Sequence, residues 1–508
     1  MYLLCERGEE HSFHIPTEME TRISCNLLIC TQGVLCSALF LVSILIAATS
    51  DSGSETHFFQ QAHLSLTGDE TTVGLDFVSP SSRYLEPIVQ WRRKNHNDIE
   101  GRVKTEKYEL KNVGVVNNCE MGPLKKSTSY QYRIVSNNDA SNWIDFVSPP
   151  YEHENGGERA AIFADFGLVN DVSMDFITAD EDIDYMIHVG DIAYDLDDMN
   201  STVGNNFMNV ISKKTRHVPY MVAVGNHELK KSPTNGTEYV QRFRGIASHA
   251  GRRSGSNSNF YYSYNRGLIH FCVINTEIYR YIDSLQYSPL PHTAEEQLAW
   301  LEKDLASVDR TKTPWIVAMG HKAWYMSNWG NIGFSNKDQL PLTNWTAFEP
   351  LFCKYGVELY LSGHVHLYQR FFPLHGPNSM EMWAKPQAVD HNSVSDNTHT
   401  YKNPKWMTTL IVASPGDDEI DTRLTCKGLT ADLDFNPMQD TQAICTAGYG
   451  YGHLQATNSS HLYWEFYQTG KAPNVDETDV EDAVKFKSKR LRDYLWLHVD
   501  HHGKRDYC

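Results

Sequence analysis

The stretch "HVGDIAYDLDD", residues 188–198, continues an apolar run that begins at Tyr185-Met186-Ile187. The run reads as a buried strand. It drops straight into a glycine and a carboxylate, Gly190-Asp191, with a phenol, Tyr194, three residues on. An acidic turn alone is a common loop. This one gains meaning because the same grammar recurs: "AAIFADFG" (160–167), "YMVAVGNHE" (220–228), "LIHFCVINTE" (268–277), "WIVAMGHKAWY" (315–325), "VELYLSGHVH" (357–366) and "TTLIVASPGDDE" (408–419). Each is a hydrophobic strand that ends in a polar cluster. Between two of them, "TAEEQLAWLEKDLASV" (293–308) has apolar Leu298, Trp300-Leu301 and Leu305 at helical spacing, with Thr293 as N-cap and Glu296 three residues later. Strands alternating with helices predict an α/β layered domain over residues 157–470. In such domains ligands sit at the carboxyl ends of the strands, where these clusters fall.

Upstream, residues 55–150 read differently. Short β segments such as "TTVGLDFVS", "PIVQWRR" and "SYQYRIVS" follow at intervals of roughly ten residues with turns between them, which predicts an all-β sandwich. Pro149-Pro150 and the Glu-Asn-Gly-Gly run at 154–157 mark the boundary. Downstream, residues 471–508 form an extension. Over 478–500, Val484, Leu491 and Leu495 share one side of a helix, so a C-terminal amphipathic helix is expected there.

The chain has 508 residues, too many for one core, and a formal net charge of −18. Phosphate backbones need a basic face, so no nucleic-acid partner is expected. The apolar run from Leu27 to Ala48 is long enough to span a bilayer, which takes ~20 residues. Residues 1–50 are therefore read as a cleaved signal peptide or an uncleaved signal anchor, with Met1 or Met19 as the start. Arg22 precedes the run and no Lys or Arg follows until Arg83, so the rest of the chain is expected to be translocated: secreted, lumenal, or tethered as a type II membrane protein. In an oxidising compartment Cys426 and Cys445 are the expected disulfide, while Cys272 and Cys353 sit in apolar contexts that suit free buried thiols. Sequons at Asn200, Asn235, Asn344 and Asn458 permit glycosylation.

Five strand ends carry, in order, Asp165; Asp191 with Tyr194; Asn226-His227; His321; and His364 with His366. These are two carboxylates, one phenol, one amide and several imidazoles, more donors than one metal ion takes and enough for two. A carboxylate is the natural bridge between two cations, and Asp191 sits centrally in the order. A phenolate is a hard anionic donor that suits Fe(III). His364 and His366, at i and i+2, lie on one side of an extended chain. Asn226 can give a neutral oxygen, and His227 is left beside the site to meet substrate.

The series resembles the metallophosphoesterase superfamily, and Tyr194 resembles its purple acid phosphatase branch. The matching blocks are Asp165 with Gly167, Gly190-Asp191-Ile192-Ala193-Tyr194, Gly225-Asn226-His227-Glu228, Val317 to His321, and Gly363-His364-Val365-His366. The likeness spans roughly residues 58–468 and implies a fibronectin type III-like sandwich followed by an α/β/β/α metallophosphoesterase domain. It implies Fe(III) on Asp165, Asp191, Tyr194 and His366, and a divalent Zn, Mn or Fe(II) on Asn226, His321, His364 and the shared Asp191. His227 would touch the substrate phosphate and help protonate the leaving group. The implied activity is acid hydrolysis of small phosphate monoesters by a metal-bound hydroxide; the sequence leaves open whether the chain forms a homodimer. The alternatives are a phosphodiesterase of the same superfamily and a secreted iron-handling protein with little activity. The chain departs from the family pattern at Ala164, at "GHKAWY" where long animal forms carry an Arg-Pro pair, at "MSNWGNIGF", which lacks the histidines of plant members, at Gln369-Arg370, at "ASPGDDE", and in the insert near 421–447.

Overall fold

The computed structural model of this chain describes residues 59–80, 86–137, 139–149, 157–229, 236–279, 292–325, 342–377, 386–413, 416, 439–471 and 484–503. The apolar run from Leu27 to Ala48 lies outside them. Within them, no helix is long and apolar enough to cross a membrane.

Residues 60–147 form a sandwich of two antiparallel sheets. One orders Gln60–Leu66, Val73–Ser79, Gly114–Met121 and Glu106–Leu110; the other orders Gly101–Lys104, Ile88–Arg93, Ser129–Ser136 and Asp139–Ala140, with Ile144–Val147 also on Ser129–Ser136. Inward residues alternate with outward ones along Ser129–Ser136, and Tyr130, Tyr132 and Ile134 meet Leu64, Leu75, Val89 and Trp91 in a core of their own. That period of two is what made the segment legible as β.

The larger domain joins two mixed sheets. The first contains Tyr220–Ala223, Tyr185–Val189, Arg159–Phe163, Gly450–Asn458, His461–Lys471 and Val484–His498 in that spatial order; the second contains Tyr262–Arg266, Ile269–Val273, Trp315–Met319, Leu359–Ser362, Thr408–Val412, Tyr368–Phe371 and Gln442–Thr446. The strands Ile269–Val273, Trp315–Met319, Leu359–Ser362 and Thr408–Val412 run parallel and are buried at every position. Continuous apolar runs suit strands covered on both faces. The sheets share one core, in which Tyr185 meets Phe271 edge-on and Tyr368 stacks on Phe466 with centroids 4.0 Å apart. Helices Asp198–Thr215, Ala294–Ser307 and Leu342–Tyr355 add the helical part. The helix expected after Thr293 is present with its capping box: Thr293 Oγ1 accepts from the Glu296 N–H at 3.1 Å, and Glu296 Oε2 accepts from the Thr293 N–H at 2.7 Å. The fold is a β-sandwich followed by a layered α/β domain.

Two expectations are corrected. The C-terminal helix over 478–500 is instead the strand Val484–His498, antiparallel to His461–Lys471 and joined at its end to Thr400–Lys402. Its buried residues Asp493, Leu495 and Leu497 alternate, while Leu491 is exposed. Leu491 and Leu495 stand four apart, which suits either period. The free edge of His461–Lys471, with backbone groups needing partners, decides for the strand. Cys353 is not a free thiol: it and Cys445 are both disulfide-bonded. Burial of a thiol does not reveal whether a second cysteine comes within bonding reach. Cys426 lies outside the described residues, and Cys272 is free and buried as expected. Of the sequon residues, Asn200 and Asn458 are exposed, Asn344 lies on the helix Leu342–Tyr355, and Asn235 is outside the described residues.

Candidate metal centre

The strands Arg159–Phe163, Tyr185–Val189 and Tyr220–Ala223 of the first sheet end at Asp165, Asp191 and Asn226. The strands Trp315–Met319 and Leu359–Ser362 of the second end at His321 and His364. Residues far apart in the chain therefore meet where the carboxyl ends of two sheets abut. The backbone is forced there: Asp165, Asp191, Ala193, Tyr194 and His364 all have φ between +51° and +70°. Such conformations cost energy for residues with a Cβ and cluster where function over-determines them. Gly190, at φ +84°, lies so close that a Cβ would sit 2.6 Å from His321 Nδ1, and one on Gly363 would sit 2.4 Å from Asp165 Oδ2.

The donors fall into two groups. In one, Tyr194 Oη lies 2.9 Å from His366 Nε2 and 3.4 Å from Asp165 Oδ1, and His366 Nε2 lies 3.3 Å from Asp165 Oδ1. In the other, His321 Nε2 lies 3.0 Å from Asp191 Oδ2 and 3.2 Å from Asn226 Oδ1. Donor atoms of Asp191, His321 and His364 lie within 4.8 Å of one another. His321 Nδ1 meets the Val189 carbonyl at 3.0 Å, which aims Nε2 into the centre. His364 and His366 are not on one side of an extended chain as expected. A tight bend, with the Val365 N–H on the Gly363 carbonyl at 2.9 Å and φ +70° at His364, sends one imidazole to each group.

Charge is concentrated here. Burial would raise Asp191, but the imidazoles of His321, His227 and His364 hold it well below the usual carboxylate range. Burial would lower His321, yet the Asp191 and Asp165 carboxylates push it up to about 9. Burial, then the Lys322 and His321 charges, drive His364 well below the imidazole range. Buried carboxylates, a phenol, an amide and imidazoles aimed at two common points form a donor set that fits two hard or borderline cations.

Three further residues escaped the sequence reading. Glu228 is buried and accepts from the N–H groups of Asp191 at 3.0 Å, Ile192 at 2.7 Å and Gly225 at 2.7 Å, so it ties the second and third blocks together. Burial and the Asp191 charge push it up to about 8. Asp195 Oδ1 lies 3.0 Å from His227 Nδ1, which leaves His227 Nε2 on the centre side, 3.8 Å from Asp191 Oδ2. Lys322 reaches Asn226 and His364. All three stand inside the quoted stretches "GNHE", "DLDD" and "GHKAWY", and their letters were the available signal.

Comparisons with known proteins agree with this geometry. The family model described as "Calcineurin-like phosphoesterase" matches residues 158–368. Those described as "Purple acid Phosphatase, N-terminal domain" and "Iron/zinc purple acid phosphatase-like protein C" match residues 59–148 and 427–478. The chain is 30% identical to zebrafish (Danio rerio) acid phosphatase type 7 over 361 residues, covering 67% of this chain and 72% of the relative. It is 26% identical to Arabidopsis thaliana purple acid phosphatase 21 over 451 residues, covering 86% and 87%. The solved structure of a purple acid phosphatase from yellow lupin (Lupinus luteus) seeds shares the fold with a TM-score of 0.64 at 19% identity, covering 88% of this chain and 76% of that one. Together with the strand-end cluster on this two-sheet fold, these matches show that the chain belongs to the purple acid phosphatase family of calcineurin-like phosphoesterases.

Proposed function

We propose that the protein is an acid phosphatase that hydrolyses small phosphate monoesters at a dinuclear Fe(III)–M(II) centre, M being Zn, Mn or Fe. The observation that carries this reading is the pairing of Tyr194, Asp165 and His366 in one donor group beside Asp191, His321, Asn226 and His364 in the next. Asp165, Tyr194 and His366 would hold the ferric ion, Asn226, His321 and His364 the divalent one, with Asp191 shared. Such a pair of cations would supply positive charge against the phosphate and lower the pKa of a water.

The chain's own residues do the rest. Asp195 fixes the His227 ring through Nδ1, so Nε2 faces the place where an ester would lie. From there it hydrogen-bonds a phosphate oxygen and delivers a proton to the ester oxygen as the P–O bond breaks, releasing alcohol and phosphate. Glu228 holds the Asp191 turn against Gly225. Delivery to a secretory or extracellular compartment fits the disulfides at Cys353 and Cys445, since such bonds persist where the surroundings are oxidising.

The test is colour together with turnover. Purified full chain is expected to absorb in the visible through the Tyr194 phenolate, to lose that band in Tyr194→Phe, and to cleave p-nitrophenyl phosphate at acid pH faster than bis(p-nitrophenyl) phosphate. A coloured but inactive protein would favour iron handling, and faster diester cleavage would make it a phosphodiesterase.

A further inference from the structure

A polar patch of the sandwich lies against the larger domain. His63 stands opposite Asp76 and Ser65 opposite Gly74, while Asp76 also stands opposite Asn118 and Gly74 opposite Glu120. Opposed residues share a face, as do residues two apart along a strand, so these six form one surface. Packed on it are Arg242, Arg244, Gly245 and a turn of π-helix, Ala247–Gly251, that carries His249, followed by Arg252 and Arg253. The Gly245 N–H donates to Asp76 Oδ1 at 2.9 Å, Arg253 Nη2 donates to Glu120 Oε1 at 2.5 Å, and Arg252 Nη2 lies 4.0 Å from Glu120 Oε2. The fit is close: a Cβ on Gly74 would sit 2.9 Å from His249 Nδ1. Yet Asp76 Oδ2, His63 Nε2, His249 Nδ1, Ser65 Oγ, Asn118 Nδ2 and Arg244 Nε are buried with no hydrogen-bond partner in the protein. Neutral groups bear such burial far better than charged ones. An ionised Asp76 would have one N–H and the Arg244 charge to set against it, with His63 opposite. A protonated His63 would keep the Gln61 carbonyl but face the Arg242 charge, and a protonated His249 would face Arg252 and Arg253, with Glu120 to offset them. Burial accordingly holds the Asp76 carboxyl up at about 8 and both imidazoles down at about 4.

We propose that this contact is a proton-gated latch between the two domains: it is closed while Asp76 keeps its proton and His63 and His249 carry none, and it loosens when either condition fails. Once the contact opens, Asp76 returns toward 3.8 and the imidazoles toward 6.5. From pH 6.5 up to about 8, opening releases the Asp76 proton, so it grows by about tenfold per pH unit. From pH 6.5 down to about 4, opening takes up two protons on the imidazoles and releases one from Asp76, so it again grows by about tenfold per unit. The latch is therefore tightest near pH 6.5 and weakens on both sides. It is independent of the metal centre.

The experiment places a reporter thiol on the buried patch. Full chain carrying Ser65→Cys is labelled with dithiodipyridine across the range from about pH 4.5 to about pH 8.5, each rate being normalised to that of glutathione at the same pH. Mass spectrometry then reads the label on each cysteine peptide. Cys272, free and buried in the core of the larger domain, labels on global unfolding and serves as the internal clock. The reporter is expected to outpace Cys272 and to label slowest near pH 6.5, quickening by about tenfold per unit on either side. Adding Asp76→Asn is expected to abolish the alkaline arm and steepen the acid one. Adding His63→Gln with His249→Gln is expected to abolish the acid arm and keep the alkaline one. Should Ser65→Cys fail to fold, Asn118→Cys carries the thiol instead. A reporter that keeps pace with Cys272 at every pH, a flat profile, or arms that survive in these variants overturns the proposal.

Discussion

His227 shows how much one contact decides. Its ring packs edge-on against Tyr194 with centroids 4.6 Å apart, and Asp195 takes its Nδ1, so Nε2 has one orientation. His227→Ala is expected to cut kcat by about 10²–10³, the size of a lost general acid, with metal content unchanged. Asp195→Ala is expected to lose about tenfold in kcat through the freed ring, with KM little altered. Steady-state kinetics alongside metal analysis checks both, and loss of metal in the His227 variant would refute its placement beside the ions rather than on them. The sequence singled out His227 beside Asn226, and the structure places its Nε2 3.8 Å from Asp191 Oδ2. It could not name Asp195, because "DLDD" offers three carboxylates in four residues and only the fold aims one of them at the imidazole.

At the scale of the element, the C-terminal strand Val484–His498 does more than extend a sheet. It carries the buried Asp493, which accepts from Arg370 Nε at 2.7 Å and Nη2 at 2.8 Å, while the Tyr368 hydroxyl also donates to it. Arg370 and Asp493 are almost wholly buried, and the pair ties the first sheet to the second just beyond His366. Removing one member leaves an uncompensated buried charge, so Asp493→Ala is expected to lower the unfolding free energy by about 3–5 kcal/mol. Urea unfolding monitored by circular dichroism measures this. A shift under about 1 kcal/mol would show that the pair is dispensable. Gln369, next to this arginine in the chain, is buried as well.

Across the whole molecule, the sandwich and the phosphoesterase domain meet through polar contacts that are nearly dry. Arg242 donates to Gln61 Oε1 at 2.6 Å and to Glu238 Oε2 at 2.8 Å, and the Gly245 N–H donates to Asp76 Oδ1 at 2.9 Å. Burial raises the Asp76 carboxyl from 3.8 to about 8, against the pull of the Gly245 N–H and Arg244. The folded chain thus keeps a proton that the unfolded chain releases above 3.8. Stability from this group is full below that pH and is lost as pH rises toward 8. His63, lowered to about 4 mainly by burial, acts in the opposite sense: its contribution is present above 6.5 and is lost as pH falls toward 4. Asp76→Asn is expected to flatten the decline in Tm between about pH 5 and pH 8, a change that scanning calorimetry reads directly. An unaltered decline would mean that Asp76 is ionised in the folded protein.

The sequence by itself determined the kinds of donor, their order along the chain, and their positions at the ends of hydrophobic strands. Those are local facts, written in residue type and in periods of two and 3.6. Only the tertiary structure decided how these side chains are brought together, since that depends on two sheets abutting at their carboxyl ends and on a bend at His364 that no spacing reveals. It also decided the strand at Val484–His498 and the bonded state of Cys353. In both cases the deciding partner, a bare strand edge or a second sulfur, lies outside the segment that was being read.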